Sequence, residues 1–402
     1  MKIAIVGLLH HPIAEPFAGG MESHTWWLAK KLMQKGHEVT LFASGDSDPE
    51  IGLSPCIDRS LNINPAAREP LARQTCNMNA YADVIKQVCN GGFDIVHNNA
   101  LHPLLLLSAV DMPVPMLMVL HTPVYDELAA AVQYADARNG AGNLGFVAVS
   151  NSLAEEWCPI TTADVVYNGI DIDGWPYSPT AVPECALWYG RIVPEKAPHL
   201  AIQAALLAGY SINIAGPIGN PAYFEEKVLP LVDNGRVFYL GHLDRGGIQR
   251  ALSQASVFVN TPMWEEPYGI VYAEALASGT PVAAFDRGAA SEIITPRCGT
   301  VVAPQTVEAL AEGIAIAAQK SRGDCRKRAE TFCHINSMIA GYERLYLKLI
   351  AKRKRLERAR QKEASVVAKA ANASLMNAKA AASAMTQESA TQKAVSPLRM
   401  AS

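Results

Sequence analysis

Two carboxylates, Glu266 and Glu274, frame the stretch of this chain best suited to chemistry, WEEPYGIVYAEALASGTP from Trp264 to Pro281. The runs SVFVN before it and PVAAF after it are short and continuously apolar, as buried strands are. Pro267 stands where a first helical turn tolerates proline, and Gly279 with Pro281 closes a helix expected from about Ile270 to Ser278. Glu266 then precedes the helix and Glu274 lies inside it. Between them the backbone N–H groups of Tyr268, Gly269, Ile270 and Val271 have no intrahelical acceptor, and with the helix dipole they make an anion site. Gly269 lets a ligand come close. A matching ligand has hydroxyls at both ends and negative charge in the middle, as a sugar, a diphosphate and a ribose do.

Cations stand upstream. In GRIVPEKAP, Gly190 to Pro198, Arg191 and Lys196 follow a strand and open a helix, so both can point into a cleft, neutralise a diphosphate and stabilise it as it leaves. Taken alone, they also fit the usual fate of surface ions. Gly19 and Gly20 precede MESHTWWLAKKL at another loop-to-helix junction, where backbone N–H groups can approach a phosphate, with Glu22 beside them. His24, Trp26 and Trp27 read as helix packing. His121 ends the strand MLMVL, on the side of an α/β sheet where ligands bind. Ser150 ends a strand in the same way. His10, His11, His97 and His102 lie near strand ends or loops without a motif, and Asp46-x-Asp48 and Asp171-x-Asp173 read as turn chemistry.

The Glu266-x7-Glu274 pair within EPYGIVYAEALASGTPVAA resembles the signature of retaining glycosyltransferases of family 4, which have the GT-B fold. The resemblance implies that Glu266 contacts a donor sugar, that Glu274 holds a ribose, and that the residues from Tyr268 to Val271 cradle phosphates. It implies a GR-x4-K element in Arg191 and Lys196, a glycine loop over the donor phosphates in Gly19 and Gly20, and a sugar contact for His121. Ala197 departs from the pattern, which often has glycine there. The resemblance spans residues 1 to 350, with the second half the more specific.

The elements that must position these residues alternate in α/β fashion throughout. Lys2 to Val6 is an apolar run suited to a central parallel strand, and a helix over Met21–Gln34 and the strand HEVTLFA follow, without a G-x-G-x-x-G fingerprint. Residues 46 to 75 carry too little periodicity to assign. Strands FDIVHNN, MLMVL, FVAVS and DVVYN complete a first domain over 1–170, with helices near Ala80–Cys89, His102–Ala109 and Leu153. Residues 171–184, rich in Gly and Pro, read as a linker. A second domain over 185–334 restarts the pattern, with FEEKVLPLV read as one of its helices. Two doubly wound domains facing across a cleft are the expectation, with Ile335–Ile350 as a helix crossing back to the first domain. The tail 351–402, basic and then Ala-rich, is expected to be a solvated helix that frays into disorder.

Composition narrows the class. With half of its 402 residues hydrophobic, 18% charged and a formal net charge of -3, the chain can fill two cores and offers no global reason to expect nucleic acid. Eight scattered cysteines without a Cys-x2-Cys pair read as free thiols of a reducing cytoplasm, not as metal ligands. The opening MKIAIVG is a strand, not a signal peptide, and no apolar run approaches membrane-spanning length. Together with these limits, the resemblance implies a cytoplasmic, metal-independent and cofactor-free retaining hexosyltransferase using a UDP-linked nucleotide sugar, with an unknown acceptor such as a glycan, lipid or small molecule. The basic run KRKRLERARQK allows peripheral contact with an anionic membrane. The alternatives are a noncatalytic nucleotide-sugar-binding regulator and a GT-B epimerase or phosphorylase. A retaining hydrolase is disfavoured, because its acids must flank the scissile bond about 5 Å apart, whereas here a phosphate site lies between them.

Overall fold

The computed structural model describes residues 1–139 and 142–393. Strands β1 (Lys2–Val6), β2 (Glu38–Ser44), β3 (Leu53–Ile57), β4 (Ile95–Asn98), β5 (Met116–Leu120), β6 (Leu144–Ala148) and β7 (Asp164–Val165) form one sheet, in the order β3-β2-β1-β4-β5-β6-β7. Strands β8 (Cys185–Tyr189), β9 (Ser211–Ala215), β10 (Val237–Tyr239), β11 (Val257–Asn260), β12 (Val282–Phe285) and β13 (Gly299–Val302) form a second, in the order β10-β9-β8-β11-β12-β13. Every pairing is parallel. Helices cover both faces, so the central strands are apolar along their whole length: β5, MLMVL, is buried at every position.

The helices are α1 (Gly20–Gln34), α2 (Pro70–Asn90), α3 (Pro103–Ala109), α4 (Asp126–Ala137), α5 (Asn151–Trp157), α6 (Pro198–Leu207), the single turn α7 (Pro221–Tyr223), α8 (Arg245–Gln254), α9 (Ile270–Ala277), α10 (Ala290–Ile293), α11 (Val307–Ala317), α12 (Arg322–Phe332) and α13 (Ile335–Lys393). In both sheets the strand order reverses beside the first strand, between β1 and β4 and between β8 and β11. Loops leaving such a pair diverge and open a crevice at the carboxyl ends of the strands. The expected α/β architecture of two Rossmann-like sheets is the observed one.

Several elements differ from expectation. The unassigned residues 46–75 hold short 3₁₀ turns at Pro49–Ile51 and Pro65–Ala67, the edge strand β3 and the start of α2, which begins at Pro70 and not near Ala80. Helices α4 and α12 were not expected. FEEKVLPLV does not form one helix: a π turn at Phe224–Val228 gives way to a 3₁₀ turn at Leu229–Leu231, where Pro230 lacks an N–H for the helical ladder. The helical part of the expected tail is present: α13 continues past Ala351 to Lys393, and the remainder of the tail lies outside the described residues.

Residues 1–350 make one compact unit and residues 351–402 another. Within the first, α13 closes against the first sheet. Tyr342 and Tyr346 are buried and stacked, with ring centroids 6.3 Å apart, and the Tyr346 hydroxyl bonds His97 on β4. Glu343 receives His37 Nε2 at 2.8 Å and the Lys35 ammonium. The chain reaches α13 through a parallel bridge between Ile170 and His334. Gly169 beside it has no room for a side chain: an added Cβ lies 2.6 Å from Ile335 Cα and 2.9 Å from the His334 carbonyl oxygen, both backbone atoms. We expect Gly169→Ala to destabilise the protein by about 1–3 kcal/mol, read as a lower urea midpoint at pH 7; an unchanged midpoint would show that the α13 entry is not tightly packed.

Candidate functional site

Helix α9 starts as its sequence dictates. Gly269, at φ +79 and ψ 69, is its left-handed N-cap, a conformation that suits glycine, and no side chain caps the first turn. Among the described residues no acceptor takes the N–H groups of Ile270 or Val271. Helix α1 begins at Gly20 after an extended Gly19, again without a side-chain cap. The two helix starts meet: a Cβ on Gly20 would lie 3.2 Å from Ile270 Cδ1. Two positive helix ends therefore converge at one place, each with open N–H groups.

Glu266 is buried just before α9, and its carboxylate pairs with the Lys196 ammonium and accepts from Trp264 Nε1 at 3.2 Å. Lys196 also lies 5.1 Å from the Trp264 ring centroid. The Glu266 backbone is fixed from the other side, because its carbonyl accepts Ala289 N at 3.0 Å and Gly288 (φ +55) packs against it so closely that a Cβ would meet that oxygen at 2.1 Å. Lys196 ends a 3₁₀ turn after β8. The next residue, Ala197, takes the left-handed conformation, φ +43 and ψ 51, before Pro198 opens α6. An alanine there carries a strain on the order of 1–2 kcal/mol that glycine avoids. Thr261 Oγ1, at the end of β11, donates to the carbonyls of Lys196 and Ala197 and holds the turn. Arg191 is exposed, with no hydrogen-bond or ion-pair partner among the described residues.

Glu274 lies in the second turn of α9 and accepts from the Tyr189 hydroxyl at 2.6 Å. Burial pushes its carboxyl up to about 7, against the opposing effects of the Tyr189 hydrogen bond and the Arg245 charge. Glu266 and Glu274 thus differ in kind: one is ion-paired, the other is held by a phenol.

His121 sits at the end of β5, within a buried polar chain. Asn99 Oδ1 takes His121 Nε2 at 2.9 Å and His97 Nε2 at 3.0 Å, while Asn99 Nδ2 donates to Thr25 Oγ1 at 3.1 Å. A carbonyl oxygen only accepts, so both rings carry their proton on Nε2 and offer Nδ1 as an acceptor. Tyr346 donates to His97 Nδ1 at 2.6 Å, leaving His121 Nδ1 for another donor. The His24 ring packs edge-on to His121, 4.8 Å between centroids, and its own nitrogens are buried without partners. Burial keeps all three imidazoles neutral, taking His97 down to about 3, His24 to about 4 and His121 well below the usual range.

Gly19, Gly20, Tyr268, Gly269, Ile270, Val271, Glu266, Glu274 and Lys196 thus share one neighbourhood, and Arg191 and His121 follow the carboxyl ends of β8 and β5. Ser150 is excluded: it is fully buried and caps α5 by accepting Leu153 N at 3.1 Å. The aspartate pairs do turn and surface work, Asp46 bonding Ser60, Asp48 capping the Pro49–Ile51 turn and Asp171 pairing with Lys31. Among the described residues no group of three His, Cys, Asp or Glu side chains is placed to hold a metal ion. Sequence reading missed Trp264, Tyr189 and Asn99. The first two adjoin recognised motifs, at the start of the acidic segment and just before Gly190, whereas Asn99 acts on His121 and Thr25, 22 and 74 positions away.

Two family models match the chain, Glycosyltransferase Family 4 over residues 18–173 and Glycosyl transferases group 1 over residues 181–332. The D-inositol 3-phosphate glycosyltransferase of Mycobacterium avium is 27% identical over 361 residues, 78% of this chain and 84% of that protein. The phosphatidyl-myo-inositol mannosyltransferase of Mycolicibacterium smegmatis is 28% identical over 307 residues, 70% of this chain and 76% of that one. The crystal structure of Anabaena HepE in complex with UDP superposes with a TM-score of 0.69 at 19% identity, covering 87% of this chain and 100% of the other; the likeness is one of fold.

The Glu274 carboxyl also sets a pH test that is independent of any ligand. A carboxyl whose folded pKa is raised binds its proton more tightly in the folded chain. Its contribution to stability is therefore present below the ordinary value of 4.5 and is lost as pH rises to about 7. Glu274→Gln has no such dependence. We expect its stability relative to the native chain to rise by on the order of 1–3 kcal/mol between those limits, measured as the difference in urea midpoints; a flat difference would contradict the raised pKa.

Proposed function

We propose that this chain, a GT-B glycosyltransferase of the family 4 kind, moves a hexose from a nucleotide diphosphate sugar to a glycan, lipid or small-molecule acceptor, with retention of anomeric configuration and without a metal. UDP is the nucleotide we favour, on the strength of the fold shared with UDP-bound HepE. In this reading residues 1–170 serve the acceptor, 171–184 link, 185–334 bind the donor and 335–350 cross back.

The observation that carries the reading is the Lys196–Glu266 pair beside the open start of α9, with Glu274 in the next turn. Sugar hydroxyls donate to Glu266, the diphosphate lies against Lys196, Arg191 and the N–H groups of Tyr268 to Val271, and ribose hydroxyls donate to Glu274. Gly19 and Gly20 bring the positive end of α1 onto the same phosphates. His121 accepts a sugar hydroxyl on Nδ1, the atom that Asn99 leaves available. Positive charge fixed where the leaving diphosphate gains negative charge lowers the barrier without solvent rearrangement. Two cations and two helix ends supply that charge from the chain itself. None of these side chains is set as a covalent nucleophile, so the acceptor attacks from the face the nucleotide leaves, and a phosphate oxygen takes its proton.

The basic start of residues 351–402 suggests a second contact. Lys352, Lys354, Arg355, Arg358 and Arg360 are exposed on a helix, and each basic residue near an anionic bilayer contributes about 1 kcal/mol of attraction. No helix among the described residues is long and apolar enough to cross a membrane. We propose a peripheral association at a cytoplasmic membrane face.

Two measurements test these readings. Purified protein is offered a panel of nucleotide sugars, nucleotide release is followed with and without candidate acceptors, and the product's anomeric proton is read by NMR. An α-linked product from an α-linked donor, formed equally in EDTA, is expected; a β-linked product rejects retention, and activity lost in EDTA and restored by a divalent ion rejects metal independence. For the tail, truncation at Ala351 should reduce co-sedimentation with anionic liposomes several-fold, and an unchanged pellet would remove the membrane contact.

A further inference from the structure

The first domain carries a second group of ionisable side chains, on loops that leave β1 and β4 and on the facing side of α2. Arg73 donates from Nη1 to Asn62 Oδ1 at 3.0 Å and from Nε to the Ala67 carbonyl at 3.2 Å. With Oδ1 so used, the Asn62 amide turns its Nδ2 to His11 Nε2, 2.9 Å away. His11 must accept there, so its proton sits on Nδ1. The Asn62 backbone N–H is bound to the His10 carbonyl at 3.2 Å, which ties His10 to the same cluster. His102 receives Leu104 N on Nδ1 at 3.2 Å and therefore carries its proton on Nε2, and its ring packs on Tyr81 with centroids 4.7 Å apart.

The hydrogen bonding thus has one direction. His11 and His102 each spend their acceptor inside the protein and keep a donor, His11 Nδ1–H and His102 Nε2–H, while Arg73, a donor only, keeps Nη2. Arg73 pairs with no carboxylate among the described residues, and the charges acting on His10 are those of Arg73 and His11. One acid, Glu127, lies near His102. A surface with donors to spare and an unopposed guanidinium complements an oxyanion.

The position fits a substrate. His102 is three residues beyond Asn99, the residue that orients His121, so their Cα atoms lie within roughly 11 Å. Loop residues so close in sequence place His102 beside the edge on which Asn99 and His121 stand. His10 and His11 are on the loop that ends at Gly19 and Gly20, the helix start against Ile270. We propose that His10, His11, Arg73 and His102 bind a phosphate group on the acceptor, so that the acceptor is a phosphomonoester or a phosphodiester headgroup. This rests on the glycosyltransferase reading above.

The test uses the full chain and inorganic phosphate as the probe, following the imidazole C–H resonances of the histidines by NMR, with and without saturating UDP. Saturable shifts of His10, His11 and His102 at the same affinity in both conditions are expected. Arg73→Gln and, separately, the exposed His10→Gln should weaken phosphate about tenfold or more, Arg73→Lys should recover most of that loss, and Lys86→Gln, elsewhere on α2, should change nothing. Glycerol 3-phosphate displacing the probe identifies a soluble monoester, and glycerophosphoglycerol displacing it identifies a lipid headgroup. Absence of saturable shifts, displacement of phosphate by UDP, displacement by neither ester, or undiminished affinity in both Gln variants overturns the proposal. Phosphate binding that persists in a chain unable to bind UDP overturns the donor reading and leaves the anion site standing.

Discussion

A parallel sheet puts the carboxyl ends of all its strands on one edge, and where strand order reverses the loops on that edge part. This constraint, met once between β1 and β4 and again between β8 and β11, governs where chemistry can occur in this chain. The glycine loop before α1 and Asn99 come from the first reversal, the Lys196 turn and the acidic segment from the second. Ile270 against Gly20 brings the two edges together. The charged groups are then held by short local devices: a left-handed glycine before α9, a threonine hydroxyl under the Lys196 turn, and a glycine that lets the backbone of Gly288 press on Glu266.

What could be read from the amino acids alone follows from range. Glu266, Gly269 and Glu274 are close in sequence, and their spacing around a helix start is a local pattern, so the segment and its strands were legible in outline. Helix α4 escaped because DELAAAVQYADA is rich in alanine and has a shallow apolar stripe. Helix α12, RGDCRKRAETF, escaped because only Cys325 and Ala329 are buried in it, so charge masks its period. The strand β3 contains Pro55, a residue that argues against strands unless they lie at an edge, and an edge is where it lies. Nothing local could show that Asn99 would join His97 to His121, or that Arg73 would reach Asn62.

The buried imidazoles illustrate how burial and hydrogen bonding divide labour. Desolvation removes the charge from His24, His97 and His121, and one amide oxygen then decides which nitrogen keeps the proton in His97 and His121. Neutral rings with defined tautomers can stand close together, as three cations could not. Ala197 shows the opposite economy, a local conformation tolerated at some energetic cost because Thr261 and the surrounding turn over-determine it.

The packing of α13 against β4 also orders events during synthesis. His97 takes its hydrogen bond from Tyr346, 249 positions later in the chain. At ribosomal speeds this separates the two partners by roughly 10–50 s, an interval in which the second sheet can form while the first still lacks its final cover. The first sheet therefore emerges first and is finished last. A chain ended at residue 340 would hold every strand of both sheets and still lack the Tyr342 and Tyr346 rings that cover the first.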